Sequence, residues 1–310
     1  MLNRRRFATL AAMSLASCRA LAGSENLSNA PVPRALHRSI DQQLAALDRA
    51  SRGRLGVAIL DTATGARFGH RADERFLLCS TFKLLASAFV LQRVDRGEES
   101  LERHIAYDAS ALVSWSPVTE KHAGEGMTLG ALCEAAITVS DNAAANLILA
   151  SYGGPAALTA FVRTLGDAVT RLDRTEPTLN GHDRAGDIRD TTSPHAMLHS
   201  VRRLALGDAL SPASRTQLQR WLLANTTGTN RLKAGLPDGW KIGDKTGSMG
   251  RPDGSGTVND VAIVWPPGER APLLVAAYLM HSAAPTAARD ATLASVARLL
   301  PAIVDGLRHG

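Results

Sequence analysis

The sequence predicts an α+β fold, in which an antiparallel sheet is flanked by N- and C-terminal helices and an all-helical domain is inserted between its strands. Strand patterns occur near both ends of the chain, and the short turns between them favour antiparallel pairing. The long middle part instead shows helical spacing of apolar residues. With 310 residues, 45% of them apolar, the chain is long enough for about two domains with a large core.

The first elements follow from the residue pattern before position 95. Apolar residues at helical spacing predict a helix over 34–50. A strand over 54–61, a turn over 62–65 and a returning strand from Ala66 onward come next. Residues 80–94 are again helical and strongly apolar, and Ser80 is a favourable first residue for that helix.

The middle of the chain is predicted to be helical, without a clear strand pattern from residue 100 to 227. Helices are predicted at 129–137, 142–150, 156–165 and 195–205. A polar segment punctuated by glycine and proline, residues 173–190, is long for a connection, and loops of that length are usually functional or disordered.

The C-terminal part returns to strands. They are predicted at 240–246, 257–265 and 273–280. A last helix is predicted over about 286–307, because its apolar residues share one face. We expect residues 34–78 and 228–310 to form one α/β domain and residues 79–227 the helical domain, with the functional site between them.

The first 22 residues resemble an export signal, so we expect a periplasmic or secreted protein. Arg4, Arg5 and Arg6 precede an apolar stretch too short to span a bilayer of about 30 Å, and Ala20-Leu21-Ala22 is suited to cleavage. The paired arginines also fit a twin-arginine signal, and both this route and ordinary secretion stay open. Attachment to a membrane is expected only if Cys18, in a lipoprotein-like box, is acylated.

The positive charge is concentrated in that segment. The chain carries a formal net charge of +6, but beyond residue 22 there are 31 basic and 29 acidic side chains. A nearly neutral chain without a basic run gives no support for nucleic-acid binding. His195 and His199 lie four residues apart without a third ligand motif, so no metal site is predicted.

Four short motifs carry residues suited to serine-based catalysis. Ser80-Thr81-Phe82-Lys83 is the only Ser-x-x-Lys, and on a helix its ends share a face, so the amine can approach the hydroxyl. Ser140-Asp141-Asn142 precedes an apolar helix, where a helix cap is the simpler interpretation. The segment Glu176-Pro177-Thr178-Leu179-Asn180 lies in the polar loop, and Lys245-Thr246-Gly247-Ser248 ends a predicted strand.

Together and in this order, the motifs resemble those of the class A β-lactamases, serine enzymes that hydrolyse penicillins and cephalosporins. The resemblance covers nearly all of the chain beyond the N-terminal segment. It implies the fold shared by β-lactamases and penicillin-binding transpeptidases. It also implies a small-molecule β-lactam substrate, a role in antibiotic resistance, and an enzyme that uses no metal and no cofactor. We expect a monomer.

The resemblance implies catalytic roles for four residues, Ser80, Lys83, Ser140 and Glu176, and places Asn180 among the substrate-binding residues. Ser80 is expected to open the lactam ring and become acylated, with Lys83 as its neighbouring base or proton relay. Glu176 and Asn180 are expected to hold the water that hydrolyses the acyl-enzyme. Whether Lys83 or Glu176 acting through water removes the Ser80 proton stays open. Ser140 is expected to pass a proton to the departing nitrogen.

Substrate-binding residues follow from the same resemblance. Asn142 is expected to bind the amide of the substrate side chain. The backbone N–H groups of Ser80 and Ser248 are expected to form the oxyanion hole, which stabilises the negative charge on the lactam carbonyl oxygen. The substrate carboxylate is expected to contact Lys245, Thr246, Ser248 and Arg231. A solvated surface arginine is the alternative for Arg231.

Three further residues have counterparts in the family. Trp115 resembles the aromatic wall at the mouth of the site, with a buried tryptophan as the alternative. Arg174 and Asp190 resemble the ion pair at the neck of the loop that carries Glu176. The part of that loop after Asn180 is one residue longer than the family's common pattern, so its geometry is in doubt.

The cysteines depart from the family's pattern. Cys133 matches a position that is often disulfide-bonded, but the partner position is Ser87. A second known bridge would start at Cys79, where its partner position is Met249. Neither bridge can form, and a buried small hydrophobe is the simpler interpretation of each cysteine.

Two other functions stay open at this point. A cell-wall D-alanyl-D-alanine carboxypeptidase or transpeptidase shares the serine and lysine motifs but lacks a deacylating glutamate, so Glu176 argues against it. A covalent sensor that is acylated once would need a segment to transmit its signal, and no transmembrane or partner domain is visible in the sequence.

Overall fold

Strands at both ends of the chain enclose a mainly helical middle part. The computed structural model describes residues 32–181 and 186–308, so the predicted signal segment 1–22, with Cys18, lies outside the described residues. The strands are β1 (Arg54–Asp61), β2 (Arg67–His70), β3 (Phe76–Leu77), β4 (His104–Ile105), β5 (Met127–Thr128), β6 (Thr191–Thr192), β7 (Lys241–Gly250), β8 (Gly256–Trp265) and β9 (Leu273–Ser282). The helices are α1 (Arg34–Ala50), α2 (Phe82–Asp95), α3 (Leu129–Thr138), α4 (Asn142–Ser151), α5 (Gly154–Thr164), α6 (Pro194–Ala205), α7 (Pro212–Leu223), α8 (Thr286–Ala297) and α9 (Leu300–Arg308).

The five long strands form one antiparallel sheet in the order β2-β1-β9-β8-β7. The first and last parts of the chain meet where β1 pairs with β9, with Arg54 opposite Met280 and Asp61 opposite Leu273. The predicted sharing of one sheet by both ends of the chain is therefore confirmed. β7 is an edge strand of this sheet, and it runs four residues beyond the predicted end, so that Ser248 lies within it.

Both faces of the sheet are covered, as alternate residues of β1 show. Leu55, Val57 and Ile59 belong to a hydrophobic core that also contains buried residues of α1, α8 and α9. Ala58 and Leu60 belong to a second core, shared with the helices of the middle part. Successive side chains of a strand point to opposite faces, so a strand buried on both sides reads as a continuous apolar run.

The middle part is built around α2, which is buried over most of its length. Helices α3 to α7 contribute buried residues to the same core. The structure adds three two-residue strands to this helical part: β4 pairs with β5, and β6 pairs with β3. Two residues are too few to show an alternating pattern, which is why the sequence did not reveal them.

The predicted C-terminal helix over 286–307 is broken into α8 and α9. Pro301 lies in the first turn of α9, where its missing N–H is tolerated. In the interior of a longer helix it would remove a hydrogen bond and clash with the preceding turn. The single-helix prediction is therefore wrong at this point, and Pro301 is the signal for the break.

Candidate active site

Ser80 lies in a short 3₁₀ turn, Cys79–Thr81, between β3 and α2, and not at the first residue of the helix as predicted. Cys79 has a φ of 43°, a left-handed conformation that is uncommon for a residue other than glycine. The amide of Asn259 on β8 donates to the carbonyls of Leu77 and Leu78, at 2.8 and 3.2 Å. These bonds attach the segment before Ser80 to the sheet.

Ser80 and Lys83 meet at the carboxylate of Glu176. Ser80 Oγ donates to Glu176 Oε1 at 3.1 Å, and Lys83 Nζ lies 3.3 Å from the same oxygen. Between the described side chains of Ser80 and Lys83 there is no direct hydrogen bond, so the predicted approach is made through Glu176. Burial lowers the pKa of Lys83, and the charge of Glu176 opposes this effect.

Glu176 is buried and fixed by two asparagines. Asn146 on α4 accepts from Glu176 N and donates to Glu176 O, both at 2.9 Å. Asn180 Nδ2 donates to Glu176 Oε2 at 2.9 Å, while Asn180 Oδ1 is buried without a partner among the described residues. Asn146 was not predicted; its position four residues after Asn142, on the same face of one helix, is the signal that could have found it.

Ser140 lies between two buried lysines. Its hydroxyl oxygen is 3.3 Å from Lys83 Nζ and 3.1 Å from Lys245 Nζ. Lys83 also donates to Asn142 Oδ1 at 2.5 Å, and Lys245 to the Thr246 carbonyl at 2.9 Å. Burial lowers the pKa of Lys245 well below its usual value, and the charge of Lys83 lowers it further.

The cap interpretation of the Ser140-Asp141-Asn142 motif is confirmed for one residue. Asp141 accepts from the N–H of Ala144 at 2.8 Å and so caps α4. It also accepts from the N–H groups of Val118 and Thr119 at 3.0 Å. Asp141 is buried, whereas its neighbours Ser140 and Asn142 make the contacts with Lys83 described above.

Arg231 is buried beside β7, and the alternative of a solvated surface arginine is wrong. Its side chain is held by Asp290, with Nε 2.9 Å from Oδ1, and by the carbonyls of Gly247 and Asn259. Its Nη2 donates to Ser248 Oγ at 2.6 Å. Nearby, the hydroxyls of Thr246 and Thr227 are 2.5 Å apart. Cationic and hydroxyl groups therefore line this edge of the site.

Comparisons with known proteins agree with this arrangement. A model of the β-lactamase enzyme family matches residues 39–304. β-Lactamase L2 of Stenotrophomonas maltophilia is 45% identical over 309 residues, which cover 98% of this chain and 100% of that protein. β-Lactamase CTX-M-25 of Escherichia coli is 47% identical over 261 residues, covering 84% and 88%.

Solved structures give the same result. An ancestral class A β-lactamase superposes with a TM-score of 0.81 at 59% identity, covering 85% of this chain and 99% of that one. The chain belongs to the class A β-lactamases. It is therefore a serine enzyme that hydrolyses the amide bond of β-lactams and so confers resistance to them.

Trp115 stands at the surface of this β-lactamase. The residue is 64% exposed, so the alternative of a buried tryptophan is wrong. Its indole N–H donates to the Val139 carbonyl at 3.0 Å, and its own carbonyl accepts from Asn142 N at 2.9 Å. Trp115 and Ser140 both have positive φ, 64° and 62°, and conformations of this kind cluster at functional sites. These bonds join Trp115 to the backbone on both sides of Ser140.

The loop that carries Glu176 is closed by a buried ion pair. Arg174 Nε lies 2.6 Å from Asp190 Oδ2, and Asp190 Oδ1 accepts from the N–H groups of Asp173 and Arg174 at 2.7 and 3.0 Å. Arg174 also donates to the Gly181 carbonyl. The longer part of the loop after Asn180 includes residues 182–185, which lie outside the described residues.

We expect Asp190→Asn to destabilise the β-lactamase by about 3 kcal/mol, because it leaves the Arg174 guanidinium without its buried carboxylate. Urea unfolding at pH 7 measures this effect. Asp208→Asn is the matched control, since Asp208 pairs with Arg203 at the surface and should contribute less than about 1 kcal/mol. A loss of less than about 1 kcal/mol in Asp190→Asn would show that this ion pair does not stabilise the fold.

Cys79 and Cys133 are buried and free, as the simpler interpretation predicts. Burial raises the pKa of both thiols, that of Cys133 to about 12.

The nitrogens of His195 and His199 bond to Asp73 and to the Leu165 carbonyl, and no cluster of metal-binding side chains occurs in the described part of the chain. Within the same residues no single helix is long and apolar enough to cross a membrane, although the bent pair of α4 and α5 meets the length and composition criteria.

Proposed function

We propose that this β-lactamase hydrolyses penicillins and cephalosporins through an acyl-enzyme on Ser80, which a water activated by Glu176 then cleaves. One observation supports this proposal above the others: Glu176 Oε1 lies 3.1 Å from Ser80 Oγ and 3.3 Å from Lys83 Nζ. The hydroxyl of Ser80 and the amine of Lys83 thus both contact one oxygen of the Glu176 carboxylate at the centre of the site. The site would lie between an α/β domain (34–78 and 228–310) and a helical domain (79–227).

In the first step, Ser80 Oγ forms a bond with the lactam carbonyl carbon, and the carbon–nitrogen bond of the ring breaks. The Ser80 proton moves to a base. Its direct hydrogen bond to Glu176 favours this carboxylate, and the Lys83 amine, whose pKa is lowered by burial, is the other candidate acceptor. The N–H groups of Ser80 and Ser248 would stabilise the negative charge on the carbonyl oxygen.

The departing nitrogen needs a proton, and Ser140 would donate it. Its hydroxyl lies within hydrogen-bonding distance of both Lys83 and Lys245, so the proton it loses can be replaced from either amine. The proton taken from Ser80 thus reaches the lactam nitrogen through side chains that are already in contact. Asn142 Nδ2 would bind the amide of the substrate side chain.

In the second step, a water attacks the ester carbonyl, and Glu176 takes one of its protons. Asn180 shares the second oxygen of Glu176 and offers a buried carbonyl oxygen that has no partner among the described residues. Such an acceptor supports a bound water at this position. The Ser80 oxygen then leaves with a proton, and the product carries a new carboxylate.

Binding of the substrate carboxylate is assigned to Lys245, Thr246, Ser248 and Arg231. Arg231→Lys keeps the charge but cannot hold Asp290 and Ser248 at the same time. We expect KM for a penicillin to rise by about tenfold, with a smaller change in kcat, because a charge-assisted hydrogen bond is worth about 1.5–3 kcal/mol.

Steady-state kinetics of Arg231→Lys against Arg251→Lys measure this effect, because Arg251 is an exposed arginine of the turn after β7. Arg251→Lys should behave like the unchanged protein. A loss of kcat without any rise in KM would exclude carboxylate binding as the role of Arg231.

The whole proposal is tested by mixing the mature protein with excess chromogenic cephalosporin, counting turnovers and recording the intact mass. Many turnovers with a transient adduct are expected. One equivalent consumed with a lasting adduct would instead indicate a penicillin-binding or sensing protein.

Size-exclusion chromatography tests the expected monomer, and the N-terminal sequence of the exported protein tests cleavage after Ala22 against acylation of Cys18.

A further inference from the structure

A row of four residues crosses the central sheet next to the segment that leads to Ser80. Gly247 on β7 lies opposite Asn259 on β8. Asn259 lies in turn opposite Tyr278 on β9, which lies opposite Gly56 on β1. Residues directly opposite one another in an antiparallel sheet point to the same face. These four residues, called here the cross-strand row, therefore face the same side of the sheet.

The two ends of the cross-strand row are glycines, and the chain approaches both of them closely. A Cβ atom on Gly56 would lie 2.3 Å from the Phe76 ring. A Cβ atom on Gly247 would lie 3.2 Å from Ser80 N, so a side chain at either position would displace the neighbouring chain. Residues 76–80 therefore run along the row, from one glycine to the other.

Asn259 lies in the interior of the row and is fully buried. Its Nδ2 donates to the carbonyls of Leu77 and Leu78, at 2.8 and 3.2 Å. Two carbonyl oxygens need two donors, and the NH₂ group of an asparagine amide supplies both. Its Oδ1 has no partner among the described residues, so the donors make all of its side-chain hydrogen bonds within that part of the chain.

The segment held by these bonds contains a backbone conformation that needs support. Cys79, directly after Leu78, has a φ of 43°. Left-handed conformations are costly for a residue with a side chain, and they persist where the surrounding structure fixes them. Leu78 is fixed on both sides: its N–H donates to the Asp190 carbonyl at 2.9 Å, and its own carbonyl accepts from Asn259 and from Thr81 N.

Both N–H groups of the proposed oxyanion hole belong to peptide bonds next to the cross-strand row. Ser248 N belongs to the peptide bond after Gly247. Ser80 N belongs to the peptide bond after Cys79. Asn259 contacts the chain on both sides, because its side chain holds the two residues before Cys79 and its backbone pairs with Gly247.

We propose that Asn259 is a positioning residue of the oxyanion hole: by holding two backbone carbonyls against β8, it sets the distance between the N–H groups of Ser80 and Ser248. Its amide donors are used by those carbonyls, so it acts through the backbone and not by touching the substrate. The inference rests on the proposed function in one respect: Ser80 is the nucleophile, and the two N–H groups bind the carbonyl oxygen.

Asn259→Leu keeps a side chain of similar size but removes both donors. The oxyanion hole acts in the transition states of acylation and deacylation, so both rate constants should fall, by about 10- to 100-fold for a misplacement of about 1 Å. KM should stay within about twofold, because it depends on the ratio of these two rate constants. Stopped-flow and steady-state kinetics with a penicillin measure the three quantities.

Ser282→Ala on β9 is the matched control. Ser282 is fully buried, and its hydroxyl donates to the Ser51 carbonyl at 2.5 Å, which is again a contact between distant parts of the chain. This variant should lose stability in urea without a fall in kcat. If Asn259→Leu does not fold, Asn259→Ala replaces it in the comparison, because it removes the same donors without adding bulk.

Infrared spectra give a readout that a loss of stability alone would not move. Glu176→Gln is expected to accumulate an acyl-enzyme, whose ester carbonyl stretches at lower frequency when two N–H groups polarise it. Adding Asn259→Leu to this variant should move the band to higher frequency. Adding Ser282→Ala should leave the band in place.

The outcomes separate this inference from the proposed function. Parent values of kcat in the folded Asn259 variant, or an ester band at the same frequency with and without Asn259→Leu, overturn the inference. An equal loss of kcat in Ser282→Ala also overturns it, because the effect would then follow stability and not the position of the N–H groups. A failure of the proposed function would appear in the unchanged protein, as the absence of turnover.

Discussion

Glu176→Gln is expected to accumulate as an acyl-enzyme and to hydrolyse β-lactams about 10²- to 10⁴-fold more slowly than the unchanged protein. Glutamine fills the same space but cannot take a proton from the deacylating water, whereas Lys83 still offers a base for the first step. Mixing the variant with a penicillin, quenching the reaction and recording the intact protein mass measures the adduct. Steady-state rates measure the loss of turnover.

Glu134→Gln is the control for this variant, because Glu134 is an exposed residue of α3. It should hydrolyse penicillins at the parent rate. Turnover of Glu176→Gln at that same rate would show that Glu176 is not the deacylating base. A variant that neither turns over nor becomes acylated would place Glu176 in the first step as its essential base.

Ser80→Ala is expected to abolish the covalent adduct and to reduce kcat by on the order of a millionfold, the loss seen when a serine hydrolase loses its nucleophile. No other hydroxyl is placed against Glu176 Oε1 among the described side chains. Intact mass after incubation with a penicillin gives the readout. Ser87→Ala on α2 is the matched control and should label fully. A surviving adduct on the Ser80 variant would identify a different nucleophile.

The sequence could predict the residues that act within short motifs. Ser80 and Lys83 are three residues apart, and Asp141 caps the helix that follows it, so local rules identify each motif as a candidate. Only the four motifs together, in their order along the chain, single these residues out. The two ends of the chain could be assigned to one sheet because the strands at each end are long and strongly apolar.

The contacts between motifs could not be predicted in this way. Asn259 reaches back across about 180 positions of sequence to the segment before Ser80, and Asp290 reaches Arg231 from α8. Such contacts depend on strand register and helix packing, which a single sequence does not encode as a local pattern. The 3₁₀ turn at Ser80 was missed for a related reason: its residues also suit the first turn of a helix.

The position of Ser140 between two amines has a directional consequence. Lys83 and Lys245 both donate to its hydroxyl oxygen, at 3.3 and 3.1 Å, and so occupy its two lone pairs. The O–H bond must then point away from both lysines. If Ser140 is the proton donor proposed above, its hydrogen is already oriented in the resting enzyme, and the transfer to the lactam nitrogen requires no rotation of the hydroxyl once the antibiotic has bound.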